Sequence, residues 1–253
     1  MSKCLLLTGV LLLVASHAWG YRPFISTDAA VADPKKVEVE LGYFTVERRD
    51  EDHTFIVPQV VVNYGITQNW EVVGEFQVEK PAKIEAQFVS PGLFLKGVLK
   101  DGVLQQQQGM SVALEAGPLL PSAAPDQHGC GFEGIGIVSG AVPPFTYHIN
   151  IGGGVDRRQT NPFILWGVIV EFSSLPSLRL VGEVSGESIR QEVPDDSALL
   201  GFIWQLPSPA ILLDAGVRKR ISSGAPDWLF TTGLSWSFTL PTVTNISYRG
   251  GRP

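Results

Sequence analysis

The chain has 253 residues, of which 44% are hydrophobic and 17% charged, and its 19 basic and 25 acidic side chains give a net charge of −6. A mildly acidic balance disfavours nucleic acid as a partner. Beyond the first residues there is no run of about 18 apolar residues, which excludes transmembrane helices. Distributed apolarity with 27 glycines and no helix-like spacing is typical of a transmembrane β-barrel.

The first twenty residues, MSKCLLLTGVLLLVASHAWG, combine a basic start, an apolar core and the small-residue ending Ala18-Trp19-Gly20. This pattern predicts a secretory signal peptide over residues 1–20, cleaved before Tyr21. An uncleaved membrane anchor is the alternative, but the apolar core is too short to span a bilayer comfortably. Cleavage would leave Cys130 as the only cysteine, so the exported chain could not form an intrachain disulfide.

Residues 21–36 contain proline, aspartate and small residues without periodicity, which predicts an irregular lead-in or a plug. The segment KVEVELGYFTV then alternates, with Val37 to Tyr43 on one face and Glu38 and Glu40 on the other. Because side chains alternate across a strand, a one-residue slip would place the two glutamates in lipid. The following polar stretch ERRDEDH, residues 47–53, is predicted to be a loop.

The strand WEVVGEFQVE gives the clearest indication of a polar lumen. Its period of two places Glu71, Glu75 and Glu79 on the face opposite Trp70. Three acids on one face are costly unless that face is wet. The sequence therefore predicts a barrel whose inside is polar and whose outside faces lipid.

Further strands follow at short, fairly even spacing. They are predicted from Phe88 to Leu99 and in the segments GMSVALEAGPL, FEGIGIVSGAV, FTYHINIGGGVDR, FILWGVIVEFS, LRLVGEVSGE and SALLGFIWQL. The segment FILWGVIVEFS is apolar on both faces, so its register stays open. The last hairpin, residues 209–238, places Asp214 and Arg218 opposite an apolar face, which is the inverse of a soluble sandwich core.

These patterns predict an all-β fold, an antiparallel up-and-down transmembrane β-barrel of about twelve strands over residues 37–240. The strand ending at Phe238 is expected to pair with the one holding Val37 to Tyr43 and close the barrel. Short connections (GITQN, KDG, VPPF, SLPS and LPSPA) alternate with longer, more charged ones, as periplasmic turns alternate with external loops. Both termini are then periplasmic, and residues 241–253 are expected to form a periplasmic tail.

Four stretches resemble a known family: RPFISTDAAVADPKKVEVELGY, VVNYGITQNWEVVGEF, LRLVGEVSGE and LDAGVRKRISSGAPDWLFTTGLSWSF. They are similar to the outer-membrane proteins grouped under the meta-pathway of phenol degradation and often labelled transporters. The resemblance covers nearly all of the chain after the leader. It implies a barrel in the outer membrane of a Gram-negative-type cell, and it implies no catalytic residues. The chain departs from the pattern at its end, because TLPTVTNISYRGGRP continues past the aromatic strand end at Phe238.

Charged side chains predicted on the inner face form a candidate solute path. The candidates are Glu71, Glu75, Glu115, His148, Arg179, Glu183, Asp214, Arg218 and Arg220. One hypothesis is a selective pore for small organic molecules, aromatic ones included, because rings of charge set selectivity. The other is a salt-bridged polar core that fills a closed barrel with a structural or surface-interaction role. About twelve strands enclose a lumen between a filled eight-stranded barrel and an open porin.

Outward aromatic residues are candidates for the interfacial girdle. They are Trp70, Trp204, Trp228, Trp236 and Phe238. Their position near predicted strand ends favours the headgroup layer over the core of a soluble sandwich. Outer-membrane lipid and the barrel-assembly machinery are the expected partners, alongside a small organic solute.

Enzymatic and metal chemistry have weaker support in the sequence. A barrel-embedded hydrolase could use His148 with Ser139 or Ser185, but spacing alone defines no nucleophile, base and orienting group. His128 and Cys130 lack a second ligand pair for a metal. Neither an enzymatic activity nor a cofactor nor a bound metal is therefore predicted.

Overall fold

The computed structural model describes residues 22–122, 124, 127–157, 161–190, 192–208 and 210–240. The predicted signal peptide, residues 1–20, and the predicted tail, residues 241–253, lie outside the described residues. The described chain forms a closed antiparallel barrel of twelve strands, which confirms the predicted fold class. The strands are β1 Lys36–Arg49, β2 Asp52–Gly65, β3 Trp70–Pro81, β4 Gln87–Lys100, β5 Ser111–Leu119, β6 Gly131–Val142, β7 Phe145–Val155, β8 Pro162–Leu175, β9 Leu178–Ile189, β10 Asp195–Gln205, β11 Ile211–Arg220 and β12 Trp228–Thr239.

Every strand pairs with the next one along the chain, and β1 closes the barrel against β12. Val37 lies opposite Phe238 in the closing pair, as the sequence predicts. We call the end where β1 begins and β12 ends the basal end, and the opposite end the distal end. No helix among the described residues is long and apolar enough to span a membrane.

The two faces of the wall follow the period-two pattern. In β11, Asp214 and Arg218 are buried inside, while Val217 is exposed on the outside. The register of β8, which its apolar sequence leaves open, places Ile169 and Glu171 inside and Val170 outside. Glu171 is the only charged residue of this strand, and the cost of placing a carboxylate in lipid accounts for the register.

Two predicted connections are wrong. The stretch ERRDEDH is not a loop, because β1 runs to Arg49 and β2 begins at Asp52, leaving only residues 50–51 between them. Beyond an apolar band both faces of a hairpin contact water, so charged residues no longer mark the end of a strand. The predicted KDG turn is instead a link over residues 101–110 that contains the 3-10 helix Val103–Gln105.

The alternation also slips once in β1. A bulge between Gly42 and Phe44 leaves Tyr43 without a partner in β12, and both aromatic side chains are exposed on the outside. After the bulge Thr45 faces the lumen. A bulge adds one residue to one strand, and sequence periodicity does not reveal where the addition falls.

The outside of the barrel is an apolar band with a polar edge. Large apolar side chains such as Leu200 and Val168 are exposed along the middle of the strands. At the distal edge, Lys219 lies over the Trp228 ring, with its amino nitrogen 4.3 Å from the ring centroid. Apolar side chains outside and aromatic residues at the edges are the arrangement of a barrel that spans a bilayer.

Candidate functional site

The lead-in segment, residues 22–35, lies inside the barrel. It has no strand or helix of its own, and Arg22, Ser26, Asp28, Ala29 and Ala32 are buried. An irregular segment enclosed by a barrel needs partners for its backbone polar groups. The lumen side chains supply them.

Backbone N–H groups of the lead-in donate to side chains from five different strands. Arg22 donates to Glu40, Ile25 and Ser26 to Glu183, Thr27 to Asn150, Ala29 to Ser139 and Ala32 to Glu71. Three of these acceptors are carboxylates, and the donor–acceptor distances are 2.6 Å at Glu71, 2.8 Å from Ser26 to Glu183 and 3.0 Å at Glu40. Hydrogen bonds to charged groups are stronger than neutral ones, so these contacts hold the lead-in in one path.

The side chain of Arg22 fixes the start of the lead-in. Its Nη1 donates to Gln59 over 2.6 Å, its Nη2 donates to Thr231, and its Nε lies 3.6 Å from Asp214 Oδ1. Glu40, which accepts from the Arg22 backbone, also accepts from Asn63 Nδ2. This network spans β1, β2, β11 and β12.

Glycines on the inner wall make room for the lead-in. A Cβ at Gly42 or Gly233 would collide with the Arg22 guanidinium, and a Cβ at Gly167 would collide with the Ser26 hydroxyl. At Gly65 a Cβ would meet the backbone of Asp33. The missing side chains therefore leave a groove for this segment across four strands.

Five ion pairs organise the remaining lumen charge. Lys96 Nζ lies 3.5 Å from Glu71 and 3.7 Å from Asp28 of the lead-in. Arg179 pairs with Glu171 over 2.5 Å. The other two pairs are Arg22 with Asp214 and Arg218 with Glu183.

Ser139, His148 and Glu171 form a buried chain. His148 Nδ1 lies 2.8 Å from Ser139 Oγ, and its Nε2 lies 3.4 Å from Glu171 Oε1. Ser139 Oγ accepts from the Ala29 backbone, so its own hydrogen is free to point at Nδ1. With that tautomer, Nε2 carries the hydrogen that faces Glu171. The residue types match a nucleophile, a base and an orienting acid, but none of the three lines the lumen cavity.

A cavity of about 640 Å³ lies between the lead-in and the distal loops. The lead-in forms its floor, and Gln127 and Arg157 lie at its distal side. One wall is apolar and is built from Val73, Phe94, Leu119 and Phe163. Ligand cavities commonly enclose about 300–1,000 Å³ with mostly apolar walls and a few polar groups.

Three carboxylates line the same cavity without forming an ion pair, although Lys96 on β4 attracts Glu115 from the neighbouring strand. Glu75 on β3, Glu115 on β5 and Glu133 on β6 have no hydrogen bond or ion pair with any residue that the structure describes. Arg157 is near Glu75 and Glu133, but its N–H groups donate to backbone carbonyls, Nε to Leu120 over 2.9 Å and Nη2 to Pro91 over 2.7 Å. We call Glu75, Glu115 and Glu133 the acidic triplet.

The sequence-predicted lumen residues fall into three places. Glu71, His148, Arg179, Glu183, Asp214 and Arg218 belong to the network around the lead-in. Glu75 and Glu115 line the cavity. Arg220 lies outside both groups, at the distal rim, where it pairs with Asp227 over 2.9 Å and is partly exposed. The structure therefore does not bring Arg220 to the other predicted residues.

The predicted girdle residues all point outward and lie near strand ends. Trp70 begins β3, Trp204 is next to the end of β10, and Trp236 and Phe238 lie near the end of β12, all at the basal end. Trp228 begins β12 at the distal end. Membership of an interfacial girdle stays a prediction for these five residues.

Several lumen residues were missed in the sequence. Glu133 and Glu171 are the only charges of their strands, and Lys96 shares its strand only with Lys100 at the strand end. An isolated charge within a mostly apolar strand marks the inner face of that strand. Arg22 and Asp28 lie in an aperiodic segment, so no pattern could place them. No group of metal-ligating side chains converges among the described residues, and Cys130 is exposed.

No protein-family model matches the chain, and no curated protein is significantly similar to it. The resemblance to the phenol meta-pathway family therefore stays a prediction. Solved structures give matches to the fold.

The NanC porin matches with a TM-score of 0.53 and 9% identity, over 79% of this chain and 98% of the porin. The CymD monoaromatic hydrocarbon channel matches with a TM-score of 0.43 and 8% identity, over 82% and 89% of the two chains. The outer membrane channel DcaP of Acinetobacter baumannii matches with a TM-score of 0.33 and 10% identity, over 83% of this chain and 100% of the channel. At these identities the likeness to NanC concerns the fold alone, and the two weaker likenesses support no further conclusion.

Proposed function

We propose that the chain is an outer-membrane channel for small organic solutes whose passage is constricted by the lead-in. The basal end, which holds both barrel termini, faces the periplasm, and the distal loops face outward. The lead-in acts as a plug in the basal half of the lumen. The distal cavity receives the solute, and the protein has no catalytic step in this role.

One observation carries the proposal. A barrel with an apolar exterior encloses a cavity of about 640 Å³ whose wall combines carboxylates with Phe94 and Phe163. A barrel that served only as a rigid support would gain stability from filling this space, because unfilled volume lowers packing energy. The apolar exterior of the barrel, together with the fold that the chain shares with the NanC porin, supports the outer-membrane location.

Planar-bilayer recording tests the channel. We expect small conductance steps from the full chain and larger steps from a variant lacking residues 22–33, because the deletion empties the basal lumen. A third variant tethers the lead-in by a disulfide between A29C and S139C in a C130S background, since Ala29 N lies 3.0 Å from Ser139 Oγ. Oxidation should lower conductance and reduction should restore it. If neither the full chain nor the deletion variant showed conductance, the channel would be refuted.

A closed structural barrel is the second candidate, and the lead-in network favours it. The hydrogen bonds from the lead-in to five strands, together with five buried ion pairs, occupy much of the lumen. The same recordings separate the two candidates, because a closed barrel is silent with or without the lead-in.

The third candidate is a hydrolase, and the chain of Ser139, His148 and Glu171 favours it. Ser139 is fully buried and covered by Ala29, so a substrate would reach it only after the lead-in moved. A fluorophosphonate probe and a short-chain ester test this candidate in the full chain and in the variant lacking residues 22–33. Labelling that S139A abolishes would establish an enzyme, whereas no labelling of either protein would remove this candidate.

A further inference from the structure

The lumen cavity carries an excess of acid that the described residues do not neutralise. Ten acidic and three basic side chains line it. Two of the three bases are committed elsewhere, Arg22 to Asp214 and Lys96 to Glu71 and Asp28. The third, Arg157, donates to two backbone carbonyls at the rim.

The acidic triplet is where this excess is concentrated. Its members come from β3, β5 and β6 on one side of the barrel, and like charges in a poorly solvated lumen repel each other unless a cation or shared protons neutralise them. No such cation is within ion-pair distance among the described residues.

Glu38 provides an independent indication at the basal side of the same cavity. It is 4% exposed and lines the cavity, and its Oε1 has no hydrogen-bond partner among the described residues. Buried carboxylate oxygens normally accept at least one hydrogen bond, so an oxygen without a donor indicates a position that a ligand or its donor groups would satisfy.

A coordinated metal ion does not fit this arrangement. Metal ligands must converge to within about 2.0–2.6 Å of one point, and no group of three acidic, histidine or cysteine side chains does so in the described part of the chain. A cation with a longer reach fits better. An alkylammonium group carries three N–H donors on a flexible stem, so it can bond carboxylates that do not share one centre.

Apolar side chains beside the acids determine the rest of the ligand. Phe94 and Phe163 belong to the apolar cluster that lines the cavity. Aromatic faces attract cations and also accommodate an apolar body of similar size. The cavity therefore offers acids to one end of a guest and an apolar surface to the other.

We propose that the cavity binds small organic ammonium ions, with the amine among Glu75, Glu115 and Glu133 and an aryl or alkyl body against Phe94 and Phe163. This extends the proposed function by naming a solute class. The binding itself does not require that the barrel conducts.

Isothermal titration of the full chain in detergent micelles tests the site with three ligands of matched size. They are 2-phenylethylammonium, 2-phenylethanol and 3-phenylpropionate. We expect the cation to bind at least about tenfold more tightly than the alcohol, and the anion to bind least, because only the cation offsets the acid excess. Tryptophan fluorescence is unsuitable, because the tryptophans of the described barrel lie on its outer face.

The variant E75Q/E115Q/E133Q should lose the cation preference and bind the ammonium ion about as weakly as the alcohol. E51Q, at an exposed position in the link between β1 and β2, is the control and should bind like the unchanged chain. Heat-modifiable migration on gels shows which variants fold. If the triple variant does not fold, the single variant E115Q should still weaken ammonium binding several-fold.

The ammonium site is refuted if the three ligands bind equally, if none binds, or if the folded triple variant keeps the cation preference. These results leave the channel open, since conductance is measured separately. Conversely, a silent barrel that still prefers the ammonium ion would refute the channel and leave the site in place.

Discussion

Replacing Arg218 with methionine should strongly destabilise the barrel, because the arginine neutralises a buried carboxylate. Arg218 pairs with Glu183 and also donates to Ser185 and Ser197, both over 3.0 Å. Only 5% of the arginine side chain and none of the Glu183 side chain is exposed. Removing one partner of such a pair leaves an uncompensated charge and costs about 3–5 kcal/mol.

The same substitution two residues further along β11 provides the control. Arg220 pairs with Asp227 at the rim, where the two side chains are 41% and 22% exposed. A pair exposed to that degree contributes about 0–1 kcal/mol, so R220M should cost little. The double variant R218M/E183Q should recover part of the loss, because glutamine keeps an acceptor for the lead-in N–H groups without a buried charge.

Urea unfolding of the barrel in lipid vesicles measures these free energies. The expected order of stability is the unchanged chain and R220M, then R218M/E183Q, then R218M. Equal, small losses from R218M and R220M would show that water screens both pairs alike. The lumen around Glu183 would then be wet, and the reasoning from burial would be wrong.

Two further predictions test the lead-in groove and the lipid-facing wall. G167V should displace the lead-in at Ser26 and raise planar-bilayer conductance, whereas G74V, where a Cβ meets nothing within 4 Å, should leave conductance unchanged. Equal conductance of the two variants would contradict the groove. L200R, in the middle of the outer face, should lower the free energy of unfolding in vesicles by about 2–4 kcal/mol. Val193 is also apolar and exposed, but it lies in the distal link over residues 190–194, so V193R should lower the free energy of unfolding far less. Equal losses from the two variants would argue against a membrane-spanning band at Leu200.

Period-two alternation was enough to predict the strands, their inner faces and the closing pair, because lipid outside and polar groups inside impose opposite demands on neighbouring residues. It placed Glu71, Glu183 and Asp214 inside without any knowledge of their partners. Alternation gives no information where both faces of a strand contact water, which is why the sequence of residues 47–53 predicts a loop where the structure has strands. Alternation also gives no information on residues 22–35, because an irregular segment has no period.

The lead-in changes what the lumen charges do. Sequence reasoning treated the inner acids as one set that lines a solute path, yet Glu71 and Glu183 accept backbone N–H groups of the lead-in and Asp214 pairs with Arg22. These three acids therefore hold the lead-in in place and are not free to attract a solute.

Glu75 and Glu115 make no such contacts, and together with Glu133 they are the acids that the proposed guest would contact. Substitutions in the two groups of acids should consequently have different effects. Loss of a lead-in anchor such as Glu71 changes how open the barrel is, whereas loss of the acidic triplet changes which charge the barrel prefers. A single measurement of conductance would confuse the two effects, and a ratio of cation to anion permeability beside it would distinguish them.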